Sequence, residues 1–315
     1  MKESQISINL YDLNKRYLEL YYSVGVYEEY KSIKKINSII LKYIFGGRFK
    51  ELISLAKGFF CRGKKKNQCI ENTVENIEFP ENVKVVVYTC IAGEYDTVKE
   101  PMYVNERLCN FVAITDCAIP QYSQWKRMNI ADIKEMKDLS PSMKNRYAKL
   151  HPHVLFPEYD YSVYVDGSIT VVADVMPLIG KLVKNNAWLG VHNMSNGIDC
   201  IYDEAVSVIG AKKAPKDIVE KQVAAYKKEG YPRHNGLFEN TILVRKHNDP
   251  HCMKVMDDWW EQLLTFSQRD QMSFNYVLWK NNIAKKEICI LGNNLYRNPR
   301  FYWQPHNEYF HKKKV

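Results

Sequence analysis

No two of the eight cysteines stand at CxxC spacing. Cys61, Cys69, Cys90, Cys109, Cys117, Cys200, Cys252 and Cys289 are scattered, which argues against a zinc ribbon. Cys90 and Cys289 sit in apolar runs, where reduced, buried thiols and hence a reducing cytoplasm are expected. No stretch reaches the roughly 18 apolar residues of a transmembrane helix. The opening residues MKESQISINLYDLNKRY lack the apolar region of a secretory signal. GxGxxG, the dinucleotide fingerprint, is absent. So are helix-turn-helix, zinc-finger and RNP motifs, and nucleic acid is not an expected partner despite the net charge of +9. There are no internal repeats or long low-complexity tracts.

What is present reads as globular. The 315 residues are 46% hydrophobic and 26% charged, enough for one large or two ordinary domains. The basic balance favours anionic partners such as phosphorylated small molecules or anionic lipid. The 22 Tyr against 6 Trp supply apolar bodies with hydroxyl tips, which suit polar ligands.

Residues 1–76 read as a helical, basic accessory region, and 77–315 as the main domain. Leu10, Leu13, Tyr17, Leu18, Leu20 and Tyr21 recur at helical spacing, as do Ile33, Ile36, Ile39, Ile40, Tyr43 and Ile44. Between Lys31 and Lys66 stand eleven Lys or Arg against one acid, Glu51. Such helices lie on an anionic membrane or present a solvated basic face, and the sequence leaves both open. Membrane contact would make the protein peripheral at the inner face of the cell membrane. Arg62–Asn76 is polar and reads as a linker.

The main domain alternates strand and helix patterns, which predicts an α/β fold. Lys84–Ile91 is a near-continuous apolar strand, followed by the Gly-containing loop Ala92–Asp96. In α/β folds such a loop receives nucleotides. Phe111–Thr115 is a second strand ending at Asp116, which is either a ligand contact or a turn residue. Arg146 and Lys149, three apart, share a face if helical and could grip a diphosphate. His151 and His153 flank Pro152 and read as a structural turn. Tyr161–Val165 is the central strand, and it carries Asp166-Gly167-Ser168 to its carboxyl end. A carboxylate followed two residues on by a second oxygen suits a divalent cation shared with phosphate oxygens; the alternative is a hairpin turn. His192 closes a further strand, as a substrate contact or a structural histidine. Ala205–Lys228 reads as one charged helix. Leu237–Arg245 is a strand with Glu239 and Asn240 at its entrance, and Asp270-Gln271 stand near a helix start.

Five segments in order carry a resemblance: VVVYTCIAGEYD, FVAITD, RYAKLHPHVLFPEYDYSVYVDGSI, LFENTILVRKH and SQRDQMSF. Over residues 83–280 the chain resembles a GT-A-type glycosyltransferase family of bacterial polysaccharide loci and plant cell-wall proteins. That resemblance implies a GT-A-like (Rossmann-like) mixed sheet flanked by helices, binding a nucleotide-sugar donor, with UDP expected. A glycan or lipid-linked acceptor would complete the reaction. Donor contacts would come from Tyr88, Thr89, Asp96, Asp116, Arg146, Lys149 and His192. Asp166, Ser168 and His306 would hold Mn²⁺ or Mg²⁺, although Ser168 stands where GT-A enzymes usually carry a second Asp. Asp270 and Gln271 would face the sugar, and Glu239 or Asp270 would serve as base. The alternative is a non-catalytic sugar-nucleotide or glycan binding module of the same fold.

Overall fold

The computed structural model of the chain describes residues 2–21, 77–93, 95–195 and 197–304. The basic Lys31–Lys66 run and His306 lie outside the described residues. A helix over 5–21 (α1) docks on the far end of the chain. Asn14 Nδ2 donates to the carbonyls of Pro299 and Phe301 at 2.9 and 3.0 Å. Arg300 forks onto both carboxylate oxygens of Glu3 at 2.8 and 2.9 Å.

The main body is built on a seven-stranded sheet of order β3-β2-β1-β4-β7-β6-β8. Its strands are β1 Val85–Ile91, β2 Cys109–Thr115, β3 Lys126–Asn129, β4 Tyr161–Val165, β6 Leu189–Asn193, β7 Phe238–Arg245 and β8 Ile288–Gly292. A separate pair joins β5, Ile169–Val171, to β9, Phe301–Trp303. Only β7 runs against its neighbours in the large sheet. The mixed sheet flanked by helices is therefore the one expected. Because β7 is reversed, its amino end meets the carboxyl ends of β1, β4 and β6 on one edge.

Both faces of the sheet are buried, which explains the continuous apolar runs. Val86, Tyr88 and Cys90 of β1 join one core, and Val85 and Val87 the other. Over the first face pack α2 Pro141–Leu150, α5 Ile201–Gly210, α6 Lys216–Lys228, α7 Pro250–Thr265 and α8 Phe274–Lys280. A short turn of helix, α3 Pro152–Leu155, follows α2. Under the second face lies α4, Met176–Lys184. Trp259 of α7 is fully buried and stacks on Phe274 at 4.3 Å. Burying a side chain of that class contributes about 1.5–3 kcal/mol, so Trp259 is a core residue.

Two local expectations change. The single helix expected over 205–228 is two, α5 and α6, broken where Lys212 takes φ +53° and Pro215 restarts the chain. Proline cannot continue a helix from its interior, but it suits a start. Asp166-Gly167 closes no hairpin: β4 pairs with β1 and β7, and β5 with β9. Gly167 has no left-handed backbone. Its value is space, since a Cβ there would meet Ile91 Cδ1 at 3.0 Å. Gly93, by contrast, has φ +71° and lies where a Cβ would meet Pro141 at 2.9 Å.

Candidate active site

At the common strand edge lies a cleft of about 770 Å³. The carboxyl ends of β1 and β4, the start of β7, α2, α5 and the turn Asp270–Met272 frame it.

The side of α2 sets the charges. Ser140 caps the helix through Met143 N, with Pro141 at its first position. Arg146 and Lys149 then fall on the cleft face together, as their spacing implied. Lys149 is only 1% exposed; its Nζ lies 2.6 Å from Asp270 Oδ2 and 3.8 Å from Asp166 Oδ1. Arg146 stands 3.6 Å from the same Asp270 oxygen. Burial works against the Asp270 carboxylate, yet Arg146 and Lys149 outweigh it and hold its pKa well below the usual range. Asp270 is therefore a fixed anion and a poor proton acceptor. Burial likewise works against the Arg146 cation, and Asp270 and Asp166 reverse the balance and raise its pKa.

Asp166 lies on the same edge with its side chain 30% exposed. The Tyr164 hydroxyl donates to it at 2.7 Å, and Asn145 Nδ2 donates to that hydroxyl at 3.2 Å and to the Cys90 carbonyl at 2.6 Å. These bonds fix the carboxylate's direction. Ser168 does not line the cleft and is buried, and its carbonyl accepts from Gln304 N at 2.8 Å. Among the described residues Asp166 thus offers a divalent cation an oriented carboxylate here. That fits Mg²⁺ or Mn²⁺ completed by substrate phosphates and water, rather than a cage of protein ligands.

Opposite stands the β7 side. Glu239 is 9% exposed and accepts from Thr241 Oγ1 at 2.7 Å. Burial pushes its carboxyl up, and the Thr241 bond only partly offsets this. Gln271 donates its amide to the Phe238 carbonyl, and its backbone N–H to Asp270 Oδ1 at 3.0 Å. Asn240 is 2% exposed and lines the cleft, and among the described residues neither amide atom has a partner. Beyond it stand Arg269 and Glu204. The Glu204 carboxyl is raised by burial against the pull of Lys213 and Arg269.

Asp96, Arg146, Lys149, Asp166, Glu239, Asp270 and Gln271 are thus brought together around one cleft. Asp96 accepts from Thr97 N at 2.8 Å and Lys99 Nζ at 3.1 Å. Besides Ser168, four others lie away from the cleft lining. Tyr88 is fully buried; its hydroxyl donates to the Ala148 carbonyl at 3.0 Å and accepts from Arg245 at 2.6 Å. It anchors the end of α2 from beneath. Thr89, on the adjacent position, is buried. His192 is fully buried and hydrogen-bonded to Asn298 at 3.1 Å, and burial with Lys181 lowers its pKa to about 3. It is a neutral core histidine. Asp116 takes the turn role, accepting from Gly93 N at 2.8 Å. His151 stacks on Tyr147 at 4.0 Å, in keeping with a structural turn.

Asn145, Tyr164, Asn240, Arg269 and Glu204 were not among the expected site residues. Arg269 stands inside the SQRDQMSF segment, and Tyr164 two residues before Asp166 on the same strand face; position alone could have flagged these. Glu204 reads in sequence as any charge on an exposed helix.

A family model described as TOD1/MUCI70, glycosyltransferase-like domain, matches residues 48–298. The chain is similar to a protein named "Probable hexosyltransferase MUCI70" from Arabidopsis thaliana, 25% identical over 228 residues. That alignment covers 64% of this chain and 38% of the relative, so the chain spans well under half of the relative's length. Among solved structures, apo mouse xyloside xylosyltransferase 1 aligns at TM-score 0.41 and 8% identity, over 66% of this chain and 85% of that one. The galactosyltransferase LgtC, with donor and acceptor sugar analogues, aligns at TM-score 0.33 and 16% identity, over 65% and 72%. At these scores neither fixes the role of any site residue. The family match spans most of the sequence and includes every strand of the cleft: the chain belongs to the TOD1/MUCI70 glycosyltransferase-like family.

Proposed function

We propose that the chain transfers a sugar from a UDP-linked donor to a hydroxyl of a glycan or lipid-linked acceptor. The observation that carries this is the buried Lys149, set between Asp166 and Asp270 in a cleft at the strand ends. Asp166 would hold Mn²⁺ or Mg²⁺ when the donor binds. Such a cation stabilises the negative charge that gathers on the departing nucleoside diphosphate.

The remaining work belongs to the side chains. Arg146 reaches the diphosphate with its planar fork. Lys149 keeps Asp270 ionised and in place, and Asp270 and Gln271 face the positive charge that develops on the sugar ring. Glu239, with its raised pKa, is better matched than Asp270 to accept the acceptor's proton. Asn240 offers a donor and an acceptor to sugar hydroxyls. The basic Lys31–Lys66 run would place the enzyme at the inner face of the cell membrane, where lipid-linked glycans are reached. Among the described residues no helix is long and apolar enough to cross a membrane.

A non-catalytic binding module is favoured by one observation: Ser168 stands outside the cleft and leaves Asp166 as the metal's carboxylate. The two readings part in one experiment. Thermal stability is measured with UDP and other nucleoside diphosphates, with Mn²⁺, Mg²⁺ or chelator, alongside release of UDP from UDP-sugars. The transferase reading expects a metal-dependent rise with UDP, and UDP release that falls about 10²–10³-fold in Asp166→Ala. Stabilisation without turnover under any metal would establish the binding module. Full activity in Asp166→Ala would remove the metal assignment.

A further inference from the structure

A second cluster of ligand-type side chains stands at the start of α5. Cys200, Asp203 and His234 offer one sulfur, one carboxylate oxygen and one imidazole nitrogen, all within 4.8 Å of one another. Cys200 is the N-cap of α5 and Asp203 lies in its first turn, so the two fall three apart on one side of the helix. His234 comes from the turn between α6 and β7.

That turn is held in an uncommon conformation. His234 has φ +55°, which side chains with a Cβ seldom adopt. Gly236 N donates to the Asp199 carbonyl at 2.8 Å, and Asp199 Oδ1 lies 2.7 Å from His234 Nδ1. A proton on Nδ1 directed at Asp199 leaves Nε2 with its lone pair. This is the carboxylate–histidine arrangement that orients imidazoles toward metals. Arg233 occupies Asp203 Oδ1 at 2.8 Å and leaves the second oxygen of that carboxylate.

We propose that Cys200, Asp203 and His234 bind a transition-metal ion, Zn²⁺ by their chemistry, and clamp the loop before α5 to the 231–236 turn. A thiolate and an imidazole select Zn²⁺ over the oxygen-seeking Mg²⁺ and Mn²⁺. The site is therefore chemically separate from the carboxylate Asp166. Three protein ligands leave a fourth position for water. Binding expels the Cys200 thiol proton to solvent, and no oxidation is involved. The clamp bears on the cleft directly: Ile198, two residues before Cys200, and Glu204 and Ser207 of α5 line it. Metal at this site would hold that wall, on the far side from α2, in one position.

The test is titration of the full-length chain, stripped with chelator under reducing conditions, using Zn²⁺ and then Co²⁺ as a spectroscopic probe. The expected result is stoichiometric binding, with a thiolate-to-cobalt band in the near ultraviolet and strong tetrahedral bands in the visible. These are lost in Cys200→Ser and in His234→Ala and kept in Asp166→Ala. Asp199→Asn weakens Zn²⁺ about 10–100-fold, as loss of an outer-shell partner does. No thiolate band in the wild type overturns the site, as does a band that survives Cys200→Ser. His234 is an exposed turn residue, so its variant answers even if Cys200→Ser folds poorly. Because Asp166→Ala is carried in parallel, failure here leaves the donor-site reading untouched.

Discussion

On the α2 side of the cleft the polar side chains bond one another; on the opposite side two side chains keep atoms without a partner among the described residues. Lys149, Arg146, Asp270, Asp166, Tyr164 and Asn145 form a closed network. Across from them, among the described residues, Asn240 has neither amide atom partnered and Arg269 Nε is buried without a partner. A buried polar group left unpaired costs about 1–3 kcal/mol. A fold tolerates that where a ligand is to supply the partner. The closed side is organised before substrate arrives, and the open side is completed by it. Substitutions on the first should therefore injure the fold and the chemistry together, and those on the second should injure binding alone.

The largest effect is expected at Lys149. Lys149→Met leaves Asp270 buried with a weakened partner set, and losing one partner of a buried pair costs about 3–5 kcal/mol. A large fall in Tm with loss of transfer is the expected outcome in calorimetry and a UDP-release assay. Adding Asp270→Asn should recover much of the Tm and none of the activity. If the single variant melts with the wild type, the network contributes little to the fold. Its pH dependence is also fixed in sign. The Asp270 pKa is lowered on folding, so its stabilisation is complete above the unfolded value of about 3.9 and is lost as pH falls toward the folded one. The acid limb of Tm against pH should thus be shallower in Asp270→Asn.

Glu239 crosses the divide, lining the open side while serving the chemistry. Glu239→Gln should lower kcat about 10²–10⁴-fold, the range for a lost general base, with the donor's KM little changed. Burial raises its pKa, so the acid limb of the wild-type rate profile should lie above the ordinary Glu value of about 4.3 and vanish in the variant. A profile unchanged by the substitution would move the base elsewhere.

The same contrast describes how much the sequence disclosed. The sheet was legible because its strands are buried on both faces and read as unbroken apolar runs: Val85–Ile91, Cys109–Thr115 and Tyr161–Val165 fall within about two residues of their expected places. Arg146, Lys149, Asp166 and Asp270 were legible because strand ends and helix spacing dictate where such residues point. Tyr88 and His192 were not. A polar tip on a strand looks the same whether it faces a ligand or, like Tyr88 OH, the carbonyl of Ala148 from across the core. The helix break before Pro215 was in the sequence, but the charged periodicity on either side of it masked the stop. Asn240 was visible only as a strand entrance. Its distinguishing property is the lack of a partner among the described residues, and that depends on residues far away in the chain.

Asn240 therefore gives the finest test of the comparison, with the smallest expected effect. Asn240→Ala removes no hydrogen bond from the free protein, since its amide makes none among the described residues. It relieves a buried, unsatisfied amide, so Tm should hold or rise. In the complex the same change withdraws one neutral donor and one neutral acceptor. Each net hydrogen bond contributes about 0.5–1.5 kcal/mol, so KM for the donor or acceptor sugar should rise about tenfold, with kcat nearly kept. UDP without its sugar should bind the variant as it binds the wild type, which separates a hydroxyl reader from a nucleotide contact. A loss of Tm instead would mean that Asn240 belongs to the closed network, and that the cleft is organised on both sides before any sugar enters it.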